Sequence, residues 1–164
     1  MVNLNKLKKL PTRDNHNCFG CSPNNSSGLQ MTFYTDESAV YSRISVPQHL
    51  SGWNNLVHGG IIATLLDEIM SWSAIYLLKT IILTKSMTVD FMKPIYVGTD
   101  LTVIGKVDQH VHEKKAMVSG EIYDTSEVLC AKSMGTLSLF TPERIKEYNI
   151  MDDDALSSFL EFIT

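Results

Sequence analysis

Cysteine is scarce in this 164-residue chain. There are three, an odd number, which excludes the disulfide framework of a small secreted domain. Long uncharged apolar runs are lacking too. The greasiest stretch, Gly59 to Leu83, is interrupted by Asp67, Glu68 and Lys79, whereas a membrane-spanning helix needs about 20 largely uncharged residues. The N-terminal MVNLNKLKKLPTRDN has charges but no apolar core, so it does not read as a signal peptide, and a cytoplasmic location is expected by default. Nor is there an excess of positive charge: 14 Lys and Arg stand against 18 Asp and Glu, for a net charge of −4 and a pI of about 5.7. No nucleic acid partner and no membrane are expected, and Lys6-Leu7-Lys8-Lys9 is too short a basic run to alter that. Phosphate-binding loops, G-x-S-x-G elbows and G-x-G-x-x-G fingerprints are all missing. What is present, 44% hydrophobic and 20% charged residues, suits a globular domain with one substantial core.

Three regions are expected. Residues 1–28 form an N-terminal segment and loop, PTRDNHNCFGCSPNNSSG being dense in Pro, Asn, Ser and Gly. Residues 29–140 form the main domain and 141–164 a helical tail. LQMTFYT and AVYSRISV alternate around Asp36-Glu37 as a β-hairpin would. Residues 58 to about 79 read as the one long helix, free of proline and with both glycines at its start. Ile61, Ile62, Leu65, Leu66, Ile69, Met70, Trp72 and Ile75 make it apolar on nearly every face, the mark of an enclosed helix. SMTVDFM, TDLTVIGKVDQH, KAMVSGEIYD and VLCAKSMGTLSLF then follow as antiparallel strands, and Thr141-Pro142-Glu143 opens a helical tail. The expected class is α+β: a long central helix wrapped by a curved antiparallel sheet of about six strands.

"LVHGGIIATLLDE", residues 56 to 68, carries the chemistry. Glycines at a helix start allow close approach to N–H groups that lack internal partners, and the helix dipole favours an anion there; they equally allow tight helix packing. Burying an unpaired carboxylate costs several kcal/mol at the least, as an order of magnitude, so Asp67 and Glu68 demand an explanation. Neighbouring positions differ by about 100° around a helix, so the two acids do not share one environment. Cys18-x-x-Cys21 with His16 nearby raises zinc, but no second pair of that spacing exists; Cys130 stands alone, and His110 and His112 flank a turn. The expectation is therefore no metal, with the two cysteines anchoring a loop. Trp53, Trp72, Phe91 and Tyr96 read as core or interface, and His49 as ordinary.

Three segments together resemble the hotdog-fold acyl-CoA thioesterases, in the phenylacetic-acid-degradation branch of the 4-hydroxybenzoyl-CoA thioesterase superfamily. They are "CFGCSPNNSSGLQM", "VHGGIIATLLDE" and "TKSMTVDFMKPIYVGTDL", the last with Phe91-x-x-Pro94 and then Gly98. The likeness runs from about residue 18 to 140. It implies a dimer or tetramer that hydrolyses acyl-CoA to a free acid and CoA with no separate cofactor. It implies Asp67 as nucleophile or general base, Gly59 as the backbone donor to the thioester carbonyl, and Thr84 as a holder of the attacking water. His58, Gly60, Asn54, Asn55 and Glu68 are placed with substrate binding. Some relatives carry an Asn six residues before the His, where this chain has Gly52, and Asn54 or Asn55 would take that part.

Helix geometry adds a condition of its own. Gly59 and Asp67 are eight residues apart, or about 12 Å along a helix axis. A carbonyl polarised by one and attacked through the other must lie about 3 Å from each. One chain cannot do both, so a second helix must lie antiparallel to the first, giving a C2 dimer with two equivalent sites. Two rival readings are an enoyl-CoA hydratase of the same fold, pairing His58 and Asp67 across the dimer, and a non-catalytic acyl-CoA-binding module. Lys93, Lys114, Lys115 and Lys132 are the candidate cations for the CoA phosphates.

Overall fold

A computed structural model describes residues 3–12, 16–112 and 114–163. Residues 13–15 of the expected N-terminal loop and Glu113 of an expected turn lie outside the described residues. The apolar run folds as α1 (Gly59–Leu78), an unbroken helix whose C-cap, Lys79, adopts the left-handed conformation. Its N-cap is His58: the ring Nδ1 accepts the Gly60 N–H at 2.9 Å. By length and composition α1 is long and apolar enough to cross a membrane. Its packing is that of a core helix, with Leu65, Leu66, Ile69, Met70 and Ala74 fully enclosed.

Among the described residues seven antiparallel strands form one sheet around α1. They are β1 (Lys8–Lys9), β2 (Tyr34–Thr35), β3 (Val40–Ser45), β4 (Ile81–Phe91), β5 (Asp100–His112), β6 (Lys115–Tyr123) and β7 (Leu129–Phe140). The order across the sheet is β1-β2-β3-β5-β6-β7-β4, and β3 to β7 all pack on the helix. Close approach is possible because Gly105 and Gly120 sit opposite each other on β5 and β6. A Cβ at Gly105 would lie 2.6 Å from the Ile69 carbonyl oxygen, so no larger residue fits beneath the helix there. The tail forms α2 (Pro142–Glu147) and α3 (Asp153–Ile163), with Thr141 as N-cap and Pro142 at the first helical position, as the sequence indicates. Ile145, Leu156 and Phe159 cover Ile81 at the start of β4 as a small second core.

Two elements differ from the sequence reading. The seventh strand, β1, lies in the N-terminal segment, ahead of the loop and where no strand is expected. It is tied down by Lys8, whose Nζ donates to the Tyr76 hydroxyl at 2.8 Å while that hydroxyl donates to Glu37. The hairpin is real but short on one side: only Tyr34 and Thr35 pair with Tyr41 and Val40. Leu29, Met31 and Phe33 alternate inward and are buried, yet they form no ladder. Extended chain laid on a core shows the same alternation as a strand.

Asp36 closes that hairpin. Its carboxylate accepts the Ser38 N–H and hydroxyl, the Ala39 N–H and the Tyr41 hydroxyl, all at 2.7–2.9 Å. Partial burial opposes ionisation, but these donors outweigh it and hold the acid down to about 2, from an ordinary 3.8. A depressed carboxyl stabilises the fold above its unfolded value and loses that contribution as pH falls through the folded one. Stability is therefore expected to fall between about pH 4 and pH 2, and Asp36→Asn is expected to flatten that part of the curve; denaturation midpoints across the range measure it.

Candidate active site

The acids of α1 face two different surroundings. Asp67 lies with Gly60, Ala63, Thr64 and Ser71 on the one stripe of the helix that the sheet leaves partly open. There Thr84 Oγ1 donates to Asp67 Oδ1 at 2.7 Å. Thr84 reaches it from β4, where the pairing with β7 shifts register between Thr84 and Ser86. A bulge of this kind bends a strand locally and re-aims a side chain. Strand periodicity alone starts β4 at Ser86, so neither the bulge nor the position of Thr84 on the strand was legible from it.

Glu68, one position on, turns under the N-terminal loop. Cys18 Sγ lies 3.3 Å from Glu68 Oε1, and one proton bridges them. Burial, more than the nearby Cys18 and Asp67, pushes the Glu68 carboxyl up to about 8. Gly20 is pressed against it so closely that a Cβ there would fall 2.3 Å from the Glu68 carboxyl carbon. A larger residue there would have to displace the Glu68 side chain. The sequence reading sets zinc aside for want of a second ligand pair. The fold instead gathers a ring nitrogen of His16 and the sulfurs of Cys18 and Cys21 within 4.8 Å of one another, directly beside Glu68.

At the head of α1 the two glycines divide their work. The Gly60 N–H is spent on the His58 ring, and the Ile61 and Ile62 N–H groups on the His58 carbonyl. The Gly59 N–H has no partner among the described residues and is left at the positive end of the helix dipole. Gly59 lines a cleft of about 330 Å³ with Leu56, Ile62, Phe91, Lys93 and Pro94. Phe91 and Met92 at its mouth are 58% and 49% exposed. His58 and Gly60 border a neighbouring cleft of about 320 Å³ with His49 and Thr64. Of the four lysines singled out by sequence, Lys93 lines the first cleft, while Lys132 pairs with Asp90 at 3.9 Å on the surface.

Asn54 and Asn55 lie in the exposed turn before α1, Asn54 with a positive φ of 48°. Neither side chain has a partner among the described residues, and neither reaches Asp67 or Thr84 by any hydrogen bond. Trp53, at the tip of the same turn, is 86% exposed, so within a single chain it is not core; Trp72 is, stacked on Phe33 with ring centroids 4.6 Å apart. Within one chain, then, the free N–H and the held carboxylate are not brought together. They lie on one continuous helix, separated by about 12 Å.

The sequence model of the thioesterase superfamily matches residues 54–131, the span that holds both. No curated protein matches the sequence. Among solved structures, the Escherichia coli PaaI protein of the phenylacetic acid degradation operon is 18% identical, with a TM-score of 0.62 over 69% of this chain and 81% of that one. A hypothetical thioesterase from Streptococcus pneumoniae, solved with coenzyme A, is 19% identical, with a TM-score of 0.59 over 63% of this chain and 80% of the other. A Streptococcus mutans protein bound to acetyl-CoA is 15% identical, with a TM-score of 0.59 over 85% of this chain and 93% of its own. The architecture shared with these structures is the hotdog fold.

Proposed function

Starting from a chain with the hotdog fold whose residues 54–131 match the sequence model of the thioesterase superfamily, we propose that it hydrolyses an acyl-CoA thioester to the free acid and CoA, at sites shared between two copies. The observation that carries this is the pairing of Thr84 with Asp67 on the single open stripe of an otherwise enclosed helix. A carboxylate held at one oxygen by a hydroxyl keeps its other oxygen aimed and available, as a general base or nucleophile must. Coenzyme A and acetyl-CoA in two of the similar structures support the substrate class.

The second copy is supported by two features. The open stripe is built of small residues around Asp67, which lets another helix approach closely. Beside it, β4 is an edge strand of 11 residues, with Leu83 41% exposed. The unpaired N–H and C=O groups along such an edge are free to pair with another strand. An antiparallel partner helix brings the Gly59 N–H of one chain to Asp67 of the other.

In the reaction the thioester carbonyl points at the Gly59 N–H. Asp67 of the partner, in its carboxylate form, takes a proton from water that attacks the carbonyl carbon, or attacks that carbon itself to give an anhydride that water then opens. The oxyanion is stabilised by the Gly59 N–H and the helix dipole, and the thiolate of CoA leaves. Thr84 orients the carboxylate, and Lys93 at the cleft supplies a cation for the CoA phosphates.

A panel of aromatic, short-chain and medium-chain acyl-CoAs with thiol detection tests the proposal. Release of CoA from at least one class is expected. Tight binding without thiol release would instead make this a binding module, and hydration of an enoyl-CoA would make it a hydratase. Thr84→Val is expected to lower kcat about ten-fold or more, since hydrogen bonds to charged groups are worth roughly 1.5–3 kcal/mol and part of this is lost to solvent. Unchanged kcat would remove Thr84 from the site.

A further inference from the structure

Beyond that reading, and independently of it, we propose that His16, Cys18, Cys21 and Glu68 form a zinc site that clips the N-terminal loop to the middle of α1. The three loop donors lie within 4.8 Å of one another, and the fourth, Glu68 Oε1, is 3.3 Å from Cys18 Sγ. Around a tetrahedral zinc ion, with Zn–S about 2.3 Å and Zn–N or Zn–O about 2.0–2.2 Å, neighbouring donors stand roughly 3.3–3.8 Å apart. The Cys18–Glu68 edge already has that length, and the three edges among the loop donors, each 4.8 Å at most, would close by up to about 1.5 Å.

The loop is shaped as a ligand turn. The Ser22 N–H donates to the Cys18 carbonyl at 3.2 Å, folding the segment so that both sulfurs face one point. Ser22 Oγ donates to the His16 carbonyl at 2.7 Å and so fixes where the imidazole starts. His16 Nδ1 accepts the Cys18 N–H at 3.3 Å, a long bond that ligation through that nitrogen would replace.

Charge explains why these four groups share one place. Glu68 is largely covered and has no Lys or Arg ion pair among the described residues. Two thiols beside it supply no positive charge. A divalent cation takes two thiolates, a carboxylate and a neutral imidazole, releasing their protons to solvent and relieving the cost of burying the acid. Two sulfurs with one nitrogen and one oxygen favour zinc over magnesium or calcium. A Cys18–Cys21 disulfide would use both sulfurs yet leave Glu68 buried without a counter-charge, and it gives His16 no part.

The chain, purified reduced and at full length, is expected to carry one zinc ion per molecule through gel filtration. In its place cobalt(II) is expected to give thiolate-to-metal charge-transfer absorption. Cys18→Ser and Cys21→Ser should remove both signals, while Cys130→Ser, a buried cysteine elsewhere in the core, should keep them. Glu68→Gln should weaken zinc binding by at least the roughly 10- to 100-fold seen for lost outer-shell partners. His16→Ala tests the loop side of the site should a cysteine variant fail to fold, with the same loss of affinity expected. Folded, reduced protein with far less than one zinc and no cobalt absorption would overturn the proposal. So would a disulfide surviving reduction, or a Glu68→Gln chain that binds zinc as the parent does. None of these readouts uses turnover, so they stand or fall apart from the hydrolase reading.

Discussion

Asp67→Asn is expected to lower kcat for acyl-CoA hydrolysis by about a hundred- to ten-thousand-fold, the range that a positioned acid–base group supplies. The substitution keeps the shape of the side chain, and the Thr84 hydroxyl that now donates to Asp67 Oδ1 at 2.7 Å can donate equally to an amide oxygen. Asp67 sits on the half-open stripe and makes no ion pair among the described residues, so its loss should leave the denaturation midpoint nearly unchanged. What vanishes is the ability to take a proton or to attack. KM should change little, because the carboxylate is asked to act on water or carbon in the transition state rather than to hold CoA. Turnover within about ten-fold of the parent would remove Asp67 from the chemistry.

Gly59→Pro is the second large effect, and the backbone of this chain makes it a clean experiment. A backbone donor cannot ordinarily be deleted without harm, but Gly59 is the first residue of α1, where proline is well tolerated because that N–H has no helical partner. The preceding His58 has φ −61° and ψ 136°, the extended conformation that a following proline demands. A Cβ at Gly59 would meet only the Phe91 ring at 3.7 Å, ordinary contact. The variant is therefore expected to fold and to lose the unpartnered Gly59 N–H at the cleft. Removing one oxyanion donor typically costs about 2.7–4 kcal/mol of transition-state stabilisation, or roughly 10²–10³ in kcat. Steady-state kinetics alongside a thermal melt check it; a stable Gly59→Pro chain with parental kcat would move the oxyanion site elsewhere.

Periodicity made the long helix and the last four strands legible, because those segments bury whole faces and their apolar spacing follows from that. It could not show which stripe of α1 stays open. With Leu, Ile and Met on every side, the stripe is picked out only by the small residues Gly60, Ala63 and Ser71, which carry no hydropathy signal. Adjacency on a helix did require Asp67 and Glu68 to differ, and they do. That Glu68 turns toward Cys18, 50 positions away in sequence, is a tertiary fact that no local spacing encodes. The same holds for the His16–Cys18–Cys21 cluster, whose fourth donor comes from the helix rather than from a second cysteine pair. Trp53, read as core or interface, stands 86% exposed in one chain, so of the two readings the core one does not hold, turn geometry rather than hydropathy placing it. Thr84 rested on resemblance until the β4 bulge supplied the physical reason for its aim.

Mixing the two inactive variants tests the shared site most directly. Each Gly59→Pro homodimer has two sites without the donor, and each Asp67→Asn homodimer two without the acid. In a mixed dimer one site receives the intact N–H from the Asp67→Asn chain and the intact acid from the Gly59→Pro chain. After equal amounts are unfolded and refolded together, half the dimers are mixed and half their sites are restored, so roughly one quarter of parental activity is predicted for a C2 pair. Activity no greater than the mean of the two variants alone, in a sample shown to contain mixed dimers, would contradict a site built from two chains.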